Sequence, residues 1–333
     1  MTPKRVRGAW AATLVACLAI AIPTAASAAA APGRPAAGVR DIAMPRGCAP
    51  LSVVVDPHRR AAWSNCVARI SEAHQRVVHA FRFGGMAVAV DSKLGVAWVA
   101  DNGNGTLTEI SERTNHVIHR IDGIPQAVTV AVDPRARTVW VTSDPYVKEY
   151  SEVTRKLLHT IKLGLNNSQT PWNLTVDPRA GFAWVAIVPA GPHCTRTWVA
   201  QISEAKHKVI HTYPTPFCST AVTAADPARG TVWMETGGGG TTGILKVIKE
   251  AAHRVVRTFS HLPLAGNGIA IDSRMARVLA TGTDRVYVIN EASGKILKSL
   301  TMRPFPQQIA VDQGTGNVYV ALNATPAVAQ FRI

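Results

Sequence analysis

The sequence is short of charged and aromatic residues: Asp, Glu, Lys and Arg make up 17% of its 333 positions, and Phe, Trp and Tyr make up 6%. Apolar residues still reach 47%, which excludes a disordered polyelectrolyte, because burying them offsets the entropy of ordering the chain. Long apolar runs are also missing beyond the N-terminus, which excludes a helical membrane protein. The 25 Gly and 21 Pro residues favour the many tight turns of a β architecture.

The N-terminus has the three-part order of a secretory signal peptide. Lys4, Arg5 and Arg7 precede an apolar run from Ala9 to Ile22, and small residues continue to Ala28. An apolar run of about 14 residues is too short to cross a bilayer as a helix. We therefore predict a signal peptide over residues 1–28 and a flexible leader over residues 29–38, where Ala, Pro and Gly predominate.

Cys17 leaves a second interpretation of this segment open. Leu14-Val15-Ala16-Cys17 resembles a lipobox, at which a lipoprotein is acylated and anchored to a membrane. Apolar sequence continues past Cys17, where a lipoprotein normally turns polar. Secretion to the extracellular space is therefore the preferred prediction, and lipid anchoring is the alternative.

Basic residues outnumber acidic residues along the rest of the chain too. The sequence has 36 Lys and Arg against 21 Asp and Glu, a formal net charge of +15. Removing residues 1–28 takes away three cations and no acids, which leaves a charge of about +12. A charge of this sign attracts the anionic polymers of a cell envelope, although it serves solubility equally well.

A seven-fold repeat organises residues 39–333. Each unit contains an apolar run that ends in Asp, at Asp56, Asp91, Asp133, Asp177, Asp226, Asp272 and Asp312. Seven positions after each Asp stands a large apolar residue: Trp63, Trp98, Trp140, Trp184, Trp233, Leu279 or Tyr319. The first six units then carry a Glu: Glu72, Glu112, Glu152, Glu204, Glu250 and Glu291. Each unit thus offers four short strands, named a to d in chain order, within about 42 residues, which is typical of a β-propeller blade.

The two ends of the chain are predicted to share one blade. The seventh unit stops at Ile333 after its strand c, and residues 39–43 align with the d strands of the other units. We therefore predict an all-β fold, a seven-bladed β-propeller with four-stranded blades. The N-terminal strand would complete the last blade and so remove an exposed sheet edge.

Two units carry a resemblance to a known family. MAVAVDSKLGVAWVADN at residues 86–102 and IAVDQGTGNVYVA at residues 309–321 resemble the YVTN-type propeller repeats of secreted and surface-layer proteins in bacteria and archaea. The resemblance covers residues 39–333. It departs from the family pattern in having Trp where Tyr is common, and Glu where the strand c motif often ends in Asp. The resemblance implies the propeller architecture; because the family's activities are diverse, it implies little about function.

The repeated acidic and aromatic residues are predicted to be structural. Four of the seven Asp residues precede Pro, and an Asp in that position accepts backbone N–H groups in a turn. The Asp residues are therefore expected in the a–b turns, each isolated in its own blade. The Glu residues are expected in the c–d turns on the same face, and the Trp residues in the core between sheets.

Four repeated histidines fall on the predicted strand d: His79, His119, His159 and His211. Strand d is the outermost strand of a blade, so these side chains are expected to be spread around the rim and unable to converge on one metal ion. Arg257 and Lys298 take the equivalent positions in two other blades. The series is interpreted as a charged guard against strand pairing between molecules, and no metal site and no cofactor are predicted.

Four cysteines remain after the signal peptide: Cys48, Cys66, Cys194 and Cys218. An even number in a secreted chain favours disulfides, and four cysteines allow three pairings. Cys48 and Cys218 lie in d–a connections, and Cys66 and Cys194 lie in b–c connections, which emerge on one face of a propeller. This placement predicts the pairs Cys48–Cys66 and Cys194–Cys218. A metal–thiolate site is the less favoured alternative, because the sequence has no Cys-x-x-Cys spacing.

Loop length indicates a candidate binding site on the cysteine-bearing face. The distance from the strand b aromatic residue to the Glu rises from 9 residues in the first unit to 20 in the fourth and 17 in the fifth. Binding residues often lie on long loops of a rigid scaffold, although such loops could instead only cap the channel. The candidate ligand-binding residues are Asp144, Tyr146, Trp172, His193, Trp198 and Glu235.

An enzymatic function is the alternative to a binding function. Streptogramin lyases and gluconolactonases are propellers of this general kind, and a metal site at the channel mouth needs carboxylates or His from several inner strands. The positions four and five residues before each Asp hold no ionisable residue, and neither a nucleophile elbow nor a His-Glu-x-x-His motif occurs. No catalytic residues are therefore predicted.

We expect a secreted, non-catalytic scaffold that binds a protein, a glycan, a small ligand or an anionic envelope polymer. Nucleic acid is not expected as a partner, because secretion removes the usual target and the sequence offers no aromatic and basic platform. A bare structural or surface-layer module remains a third interpretation. We expect a monomer.

Overall fold

The computed structural model describes residues 36–165, 169–189, 197–215, 220–237, 242–302 and 305–333. These residues form 28 β-strands in seven sheets, each of four antiparallel strands. The first strands of consecutive sheets contact one another all the way round, including β2 (Val53–Asp56) with β26 (Pro306–Asp312). The result is the predicted seven-bladed β-propeller. No helix in the described ranges is long and apolar enough to span a membrane.

The blades follow the sequence repeat in chain order, with strand a innermost and strand d outermost. Blades 1 to 3 contain β2–β13: Val53–Asp56, Ala61–Ser64, Ala68–Ser71, Arg76–Ala80; Ala87–Asp91, Val96–Asp101, Thr106–Ser111, His116–Ile121; Val130–Asp133, Thr138–Ser143, Tyr146–Ser151, Leu157–Lys162. Blades 4 to 6 contain β14–β25: Gln169–Asp177, Phe182–Pro189, Trp198–Ser203, Lys208–Pro214; Thr220–Asp226, Thr231–Gly237, Gly243–Lys249, Arg254–Leu262; Ile269–Asp272, Arg277–Thr281, Arg285–Asn290, Ile296–Thr301. Blade 7 contains β26–β28 and β1: Pro306–Asp312, Asn317–Leu322, Ala327–Arg332 and Arg40–Ala43.

The core lies between neighbouring blades. Sheets that pack face to face bury both faces of their middle strands, so five of the six residues of β7 are buried, whereas five of the six residues of the outer strand β9 are exposed. The large residue of each strand b is 0–1% exposed: Trp63, Trp98, Trp140, Trp184, Trp233, Leu279 and Tyr319. The prediction that this series is core packing is confirmed.

The N-terminal strand closes the ring as predicted. β1 pairs antiparallel with β28, with Arg40 opposite Gln330 and Ala43 opposite Ala327. Just beyond the strand, the backbone N–H of Met44 donates to the carbonyl of Pro326 at 2.7 Å. Ala36, within the predicted leader, donates its backbone N–H to Thr301 in blade 6.

The seven Asp residues hold the a–b turns. Asp91, for example, accepts the backbone N–H groups of Lys93 at 2.7 Å and Leu94 at 3.0 Å through one carboxylate oxygen. The same pattern recurs after Asp56, Asp133 and Asp177. These bonds satisfy N–H groups that the tight turn withdraws from the strand ladder, and they confirm the turn interpretation.

The expectation that each Asp is isolated in its own blade is wrong. The c–d turn of the next blade lies over the a–b turn, so the Glu of that next blade reaches the Asp and the Trp of the preceding one. The Trp63 indole N–H donates to Glu112 at 2.7 Å, and the pair Trp98 and Glu152 repeats the contact at 2.9 Å. Trp184 and Glu250 are joined in the same way at 3.2 Å. The Trp, Asp and Glu of neighbouring units therefore form one interblade contact, which we call the acid latch.

The predicted Cys48–Cys66 disulfide is present, and Cys194 and Cys218 lie outside the described residues. The bond closes a loop with a sequence separation of 18 residues and packs against Ile42 and Met44.

We expect the double variant C48A/C66A to lose about 3 kcal/mol of stability, the chain entropy of closing a loop of this size. Thermal unfolding without reductant measures the loss, and reduced wild-type protein should approach the variant. An unchanged melting temperature would show that the bond restrains nothing in the unfolded chain.

Candidate functional site

The a–b turns of the blades surround one mouth of the central channel, and a cavity of about 580 Å³ lies there. Its walls come from the residues one and two positions after the turn Asp in six of the seven blades: Lys93, Pro134, Arg135, Pro178, Arg179, Pro227, Ala228, Ser273 and Gln313. Pro fixes φ, and the Asp holds the turn N–H groups. The turns around this mouth are therefore rigid, and their structure repeats from blade to blade.

The mouth is positively charged. The side chains of Lys93, Arg135 and Arg179 are exposed at the cavity wall and make no hydrogen bond or ion pair within the described part of the chain. The Asp carboxylates of the same turns are 0–3% exposed and face inward. The carboxylates of these turns are thus buried within the fold. Three cations that have no partner among the described residues lie at the surface. We call this surface, formed by Lys93, Arg135 and Arg179, the basic mouth.

The sequence analysis predicted only a structural role for the a–b turns and did not predict the basic mouth. A signal was present, because Lys93, Arg135 and Arg179 each stand two positions after the Asp of three consecutive units. Side chains at one repeat position of adjacent blades must lie side by side around the channel. A cation that recurs at that offset predicts a charged ring.

The acid latches hold carboxyl groups with strongly raised pKa values. Burial and the neighbouring Asp56 raise the pKa of Glu112 to about 7, and burial and Asp91 raise that of Glu152 to about 8. Burial and Asp133 raise the pKa of Glu204 to about 8, and burial and Asp177 raise that of Glu250 to about 9. Such shifts in a cleft point to catalysis. In this protein the raised pKa values recur at successive blade interfaces, where the Glu side chains are buried or half-buried. This repetition indicates a structural role.

The residues predicted on the opposite face fall at several separate places. Asp144 and Tyr146 flank the b–c turn of blade 3 and are half-buried, and burial raises the pKa of Asp144. Trp172 is 42% exposed beside a bulge in β14. Trp198 begins strand c of blade 4, and Glu235 is buried in strand b of blade 5. No hydrogen bond, ion pair or ring contact joins any two of these five within the described residues, and His193 lies outside them.

Trp198 lines a second cavity, of about 250 Å³, at the junction of blades 3 and 4. Leu163, Thr212 and Pro214 form its other walls. The indole nitrogen of Trp198 is buried and has no hydrogen-bond acceptor among the residues that the structure describes. A buried donor without a partner is costly, but this nitrogen is closed to solvent, so the cavity presents the half-buried Trp198 side chain and not its N–H.

Glu235 fastens blade 5 to blade 6. One of its carboxyl oxygens accepts the backbone N–H of Gly266 at 2.7 Å, and the other oxygen is buried with no partner in the described part of the chain. Burial raises the pKa of Glu235 to about 8, so the group carries a proton at neutral pH. The side chain is 0% exposed and reaches no solvent from which a ligand could approach.

Polar side chains at the positions considered for a channel metal bridge the innermost strands instead. Asn173 of blade 4 accepts the backbone N–H of Thr223 in blade 5 at 2.9 Å and its hydroxyl at 2.8 Å. Gln308 of blade 7 accepts the backbone N–H of Val53 in blade 1 at 3.2 Å. These bonds fix the spacing of neighbouring blades around the channel.

One of the strand d histidines meets metal-binding side chains from other repeat positions. His159 of strand d lies beside Glu149 of strand c in the same blade and beside His207 in the c–d turn of blade 4. The carboxylate and imidazole atoms of the three all lie within 4.8 Å of one another. The prediction from the strand d series did not include His207, because His207 belongs to a different repeat position of the next blade. Among the described residues, this group could hold a metal ion.

Comparison with known proteins finds similarity of fold. No protein-family model matches the sequence, and none of the curated proteins does. Among solved structures, the chain is similar to Kuenenia stuttgartiensis hydrazine synthase, with a TM-score of 0.70, 13% identity, and coverage of 87% of this chain and 99% of that one. It is also similar to the Cps50 (Swd1) β-propeller domain of Myceliophteria thermophila, with a TM-score of 0.71, 7% identity, and coverage of 89% and 99%. At these identities the likeness shows the fold alone, and that fold is the β-propeller.

Proposed function

We propose that this protein is a secreted, monomeric and non-catalytic scaffold that binds an anionic polymer at the basic mouth. The observation that carries the proposal is the set of three exposed cations, Lys93, Arg135 and Arg179, around a cavity of about 580 Å³. Rigid turns hold these cations apart, so binding orders little of the protein backbone and loses little entropy. Secretion is supported by the order of residues 1–28 and by the Cys48–Cys66 disulfide.

The arrangement favours an extended anion over a small one. The three cations stand on three consecutive blades, 2 to 4, and each comes from its own turn. A polymer with regularly spaced sulfate, phosphate or carboxylate groups can meet all three together, whereas one small anion meets a single exposed cation in competition with water. The exposed Gln313 and Ala228 and the half-buried Pro residues of the mouth add polar and apolar contacts.

Binding of a labelled sulfated oligosaccharide, measured by fluorescence anisotropy, tests this function. We expect the triple variant K93Q/R135Q/R179Q to bind at least about tenfold more weakly, since each lost charge-assisted hydrogen bond contributes more than 1 kcal/mol. The matched control R76Q/K162Q/K298Q removes the same charge from exposed positions on the outer strands and should bind nearly as the wild type does. A neutral oligosaccharide of equal length should not bind.

Two results would contradict the proposal. An equal loss in both triple variants would mean that only overall charge attracts the polymer. Full binding by K93Q/R135Q/R179Q, combined with loss in W198A, would move the site to the opposite face.

The Trp198 cavity supports a second candidate function, the binding of a small ligand on the predicted loop face. The half-buried Trp198 side chain and the apolar groups of Leu163 and Pro214 suit a sugar or a small amphipathic molecule. Asp144, Tyr146 and Trp172 belong to the same face and would enlarge that site.

A further inference from the structure

Glu149, His159 and His207 meet at the outer junction of blades 3 and 4. The Nδ1 atom of His207 lies 3.2 Å from Oε2 of Glu149. The two imidazole rings are stacked, with centroids 3.4 Å apart and planes 14° apart. The carboxylate and imidazole atoms of the three residues all lie within 4.8 Å of one another. Two nitrogens bound to one tetrahedral zinc at about 2.1 Å are about 3.4 Å apart, and each points to the ion within its own ring plane. The stacked rings therefore have to turn apart, by rotation of their side chains, to bind a single ion.

Side chains at the same three repeat positions also meet at neighbouring blade junctions. Those junctions show which combinations of residues the site accommodates. In each case a strand c residue faces a strand d residue, and a residue with positive φ from the next blade's c–d turn joins them. At the junction of blades 2 and 3 the set is Glu109, His119 and Arg155. Arg155 places its guanidinium on Glu109, with Nε to Oε2 at 3.0 Å and Nη2 to Oε1 at 3.2 Å. This position of the fold therefore holds a cation against a buried carboxylate.

At the junction of blades 3 and 4, histidine replaces that arginine. Glu149 is 5% exposed, and within the described residues its one ion-pairing partner is His207. A buried carboxylate is costly unless a cation compensates its charge. Two imidazoles and one carboxylate form a donor set that zinc prefers, with a fourth position left open. His159 and His207 are half-buried, so an ion can enter from solvent.

The junction of blades 4 and 5 supplies a natural control. It has the set Gln201, His211 and His253, with Nδ1 of His253 at 3.0 Å from Oε1 of Gln201. Here a neutral amide replaces the carboxylate and two histidines remain. The fold thus accommodates three versions of one site: a carboxylate with an arginine, a carboxylate with two histidines, and an amide with two histidines.

We propose that Glu149, His159 and His207 bind a zinc ion that joins blade 3 to blade 4 at the rim. The ion occupies the place that the Arg155 guanidinium takes at the preceding junction. Its fourth coordination position faces solvent and takes water or a ligand atom from outside. This site is separate from the basic mouth and independent of the proposed function.

Isothermal titration of chelator-treated, tag-free protein with zinc chloride tests the site. We expect one zinc ion per chain and, at a hundredfold excess over the dissociation constant, a rise of about 5 °C in melting temperature. The variant E149Q creates the amide version found in the next junction, so it should fold, and its zinc affinity should fall at least about tenfold. The variant H207R creates the arginine version, so it should be stable without zinc and show no zinc-dependent rise.

The variant H253Q, at the control junction, should bind zinc as the wild type does. Three results would overturn the proposal: no stoichiometric zinc binding by the wild type, equal zinc affinity in wild type, E149Q and H207R, or loss of the ion in H253Q. The intact melting curves of E149Q and H207R in the absence of zinc separate loss of the site from loss of the fold.

Discussion

Replacing Glu112, Glu152 and Glu250 by Gln is expected to stabilise the protein above pH 7 and to flatten the pH dependence of its stability. Each of these carboxyl groups lies in an acid latch, where burial and a neighbouring Asp raise its pKa to between about 7 and about 9. A protonated Glu can donate to the Asp carboxylate while accepting the indole N–H. A Gln amide can do the same at every pH, because it carries both a donor and an acceptor.

The sign of the pH dependence follows from the proton count. In the unfolded chain these groups titrate near 4.5, and in the folded chain they titrate near 7 to 9. Between those values the folded state binds more protons, so the wild type should lose stability as pH rises from about 5 to 9. We expect its melting temperature to fall by on the order of 10 °C over this range, the effect of a few kcal/mol in a domain of this size. The triple Gln variant should fall much less.

Glu72 provides the control for this prediction. At the junction of blades 7 and 1, burial raises its pKa, but hydrogen bonds from Asn317, Thr315 and Arg60 outweigh burial and hold the pKa below its usual value. Its contribution to stability is therefore present above pH 4.5 and lost as pH falls. E72Q should destabilise the protein at pH 7, in contrast to the other three substitutions. Melting curves from pH 5 to 9 decide the matter, and a triple variant with the slope of the wild type would contradict the assignment.

Deleting residues 1–44 is expected to open the ring and produce the largest loss of stability. The deletion removes β1, whose Ile42 is 3% exposed, together with the buried Met44. Burying two such side chains and pairing four backbone positions contributes about 5 kcal/mol or more. It also leaves β28 as an unpaired apolar edge, which favours association between molecules.

A chain that begins at Ala36 is the matched control, since it keeps β1. Light scattering with size exclusion should show a monomer for this control and oligomers for the chain that begins at Pro45. A peptide of residues 36–44 added in trans should restore the monomer and raise the melting temperature. A deletion variant that stays monomeric, with a melting temperature within about 2 °C of the control, would contradict the role of β1.

The architecture could be predicted from the sequence because the repeat constrains it strongly. A constant offset of seven from Asp to a large apolar residue places the Asp at the end of strand a and the apolar residue in the middle of strand b in every unit. The partial last unit and residues 39–43 then complete each other. The Cys48–Cys66 pair followed from the same alignment, because it placed both cysteines at one end of one blade.

Contacts between blades could not be predicted in the same way. The repeat gives the position of Asp56 within unit 1 and of Glu112 within unit 2, but not the packing angle that brings their turns together. The contact of His159 with His207 could not be predicted for the same reason, since two different repeat positions become neighbours only after the blades pack. The basic mouth could have been predicted, because Lys93, Arg135 and Arg179 each stand two positions after the turn Asp.

Hydrogen exchange with and without the sulfated oligosaccharide tests the central claim, that the basic mouth is the binding surface. Slower exchange is expected in the a–b turns of blades 2 to 4, at residues 92–95, 134–137 and 178–181, because a bound polymer shields these exposed turns. The b–c turn at Asp144 and the backbone around Trp198 should exchange as before. Protection confined to Asp144, Tyr146 and Trp198, with the a–b turns unchanged, would contradict the claim.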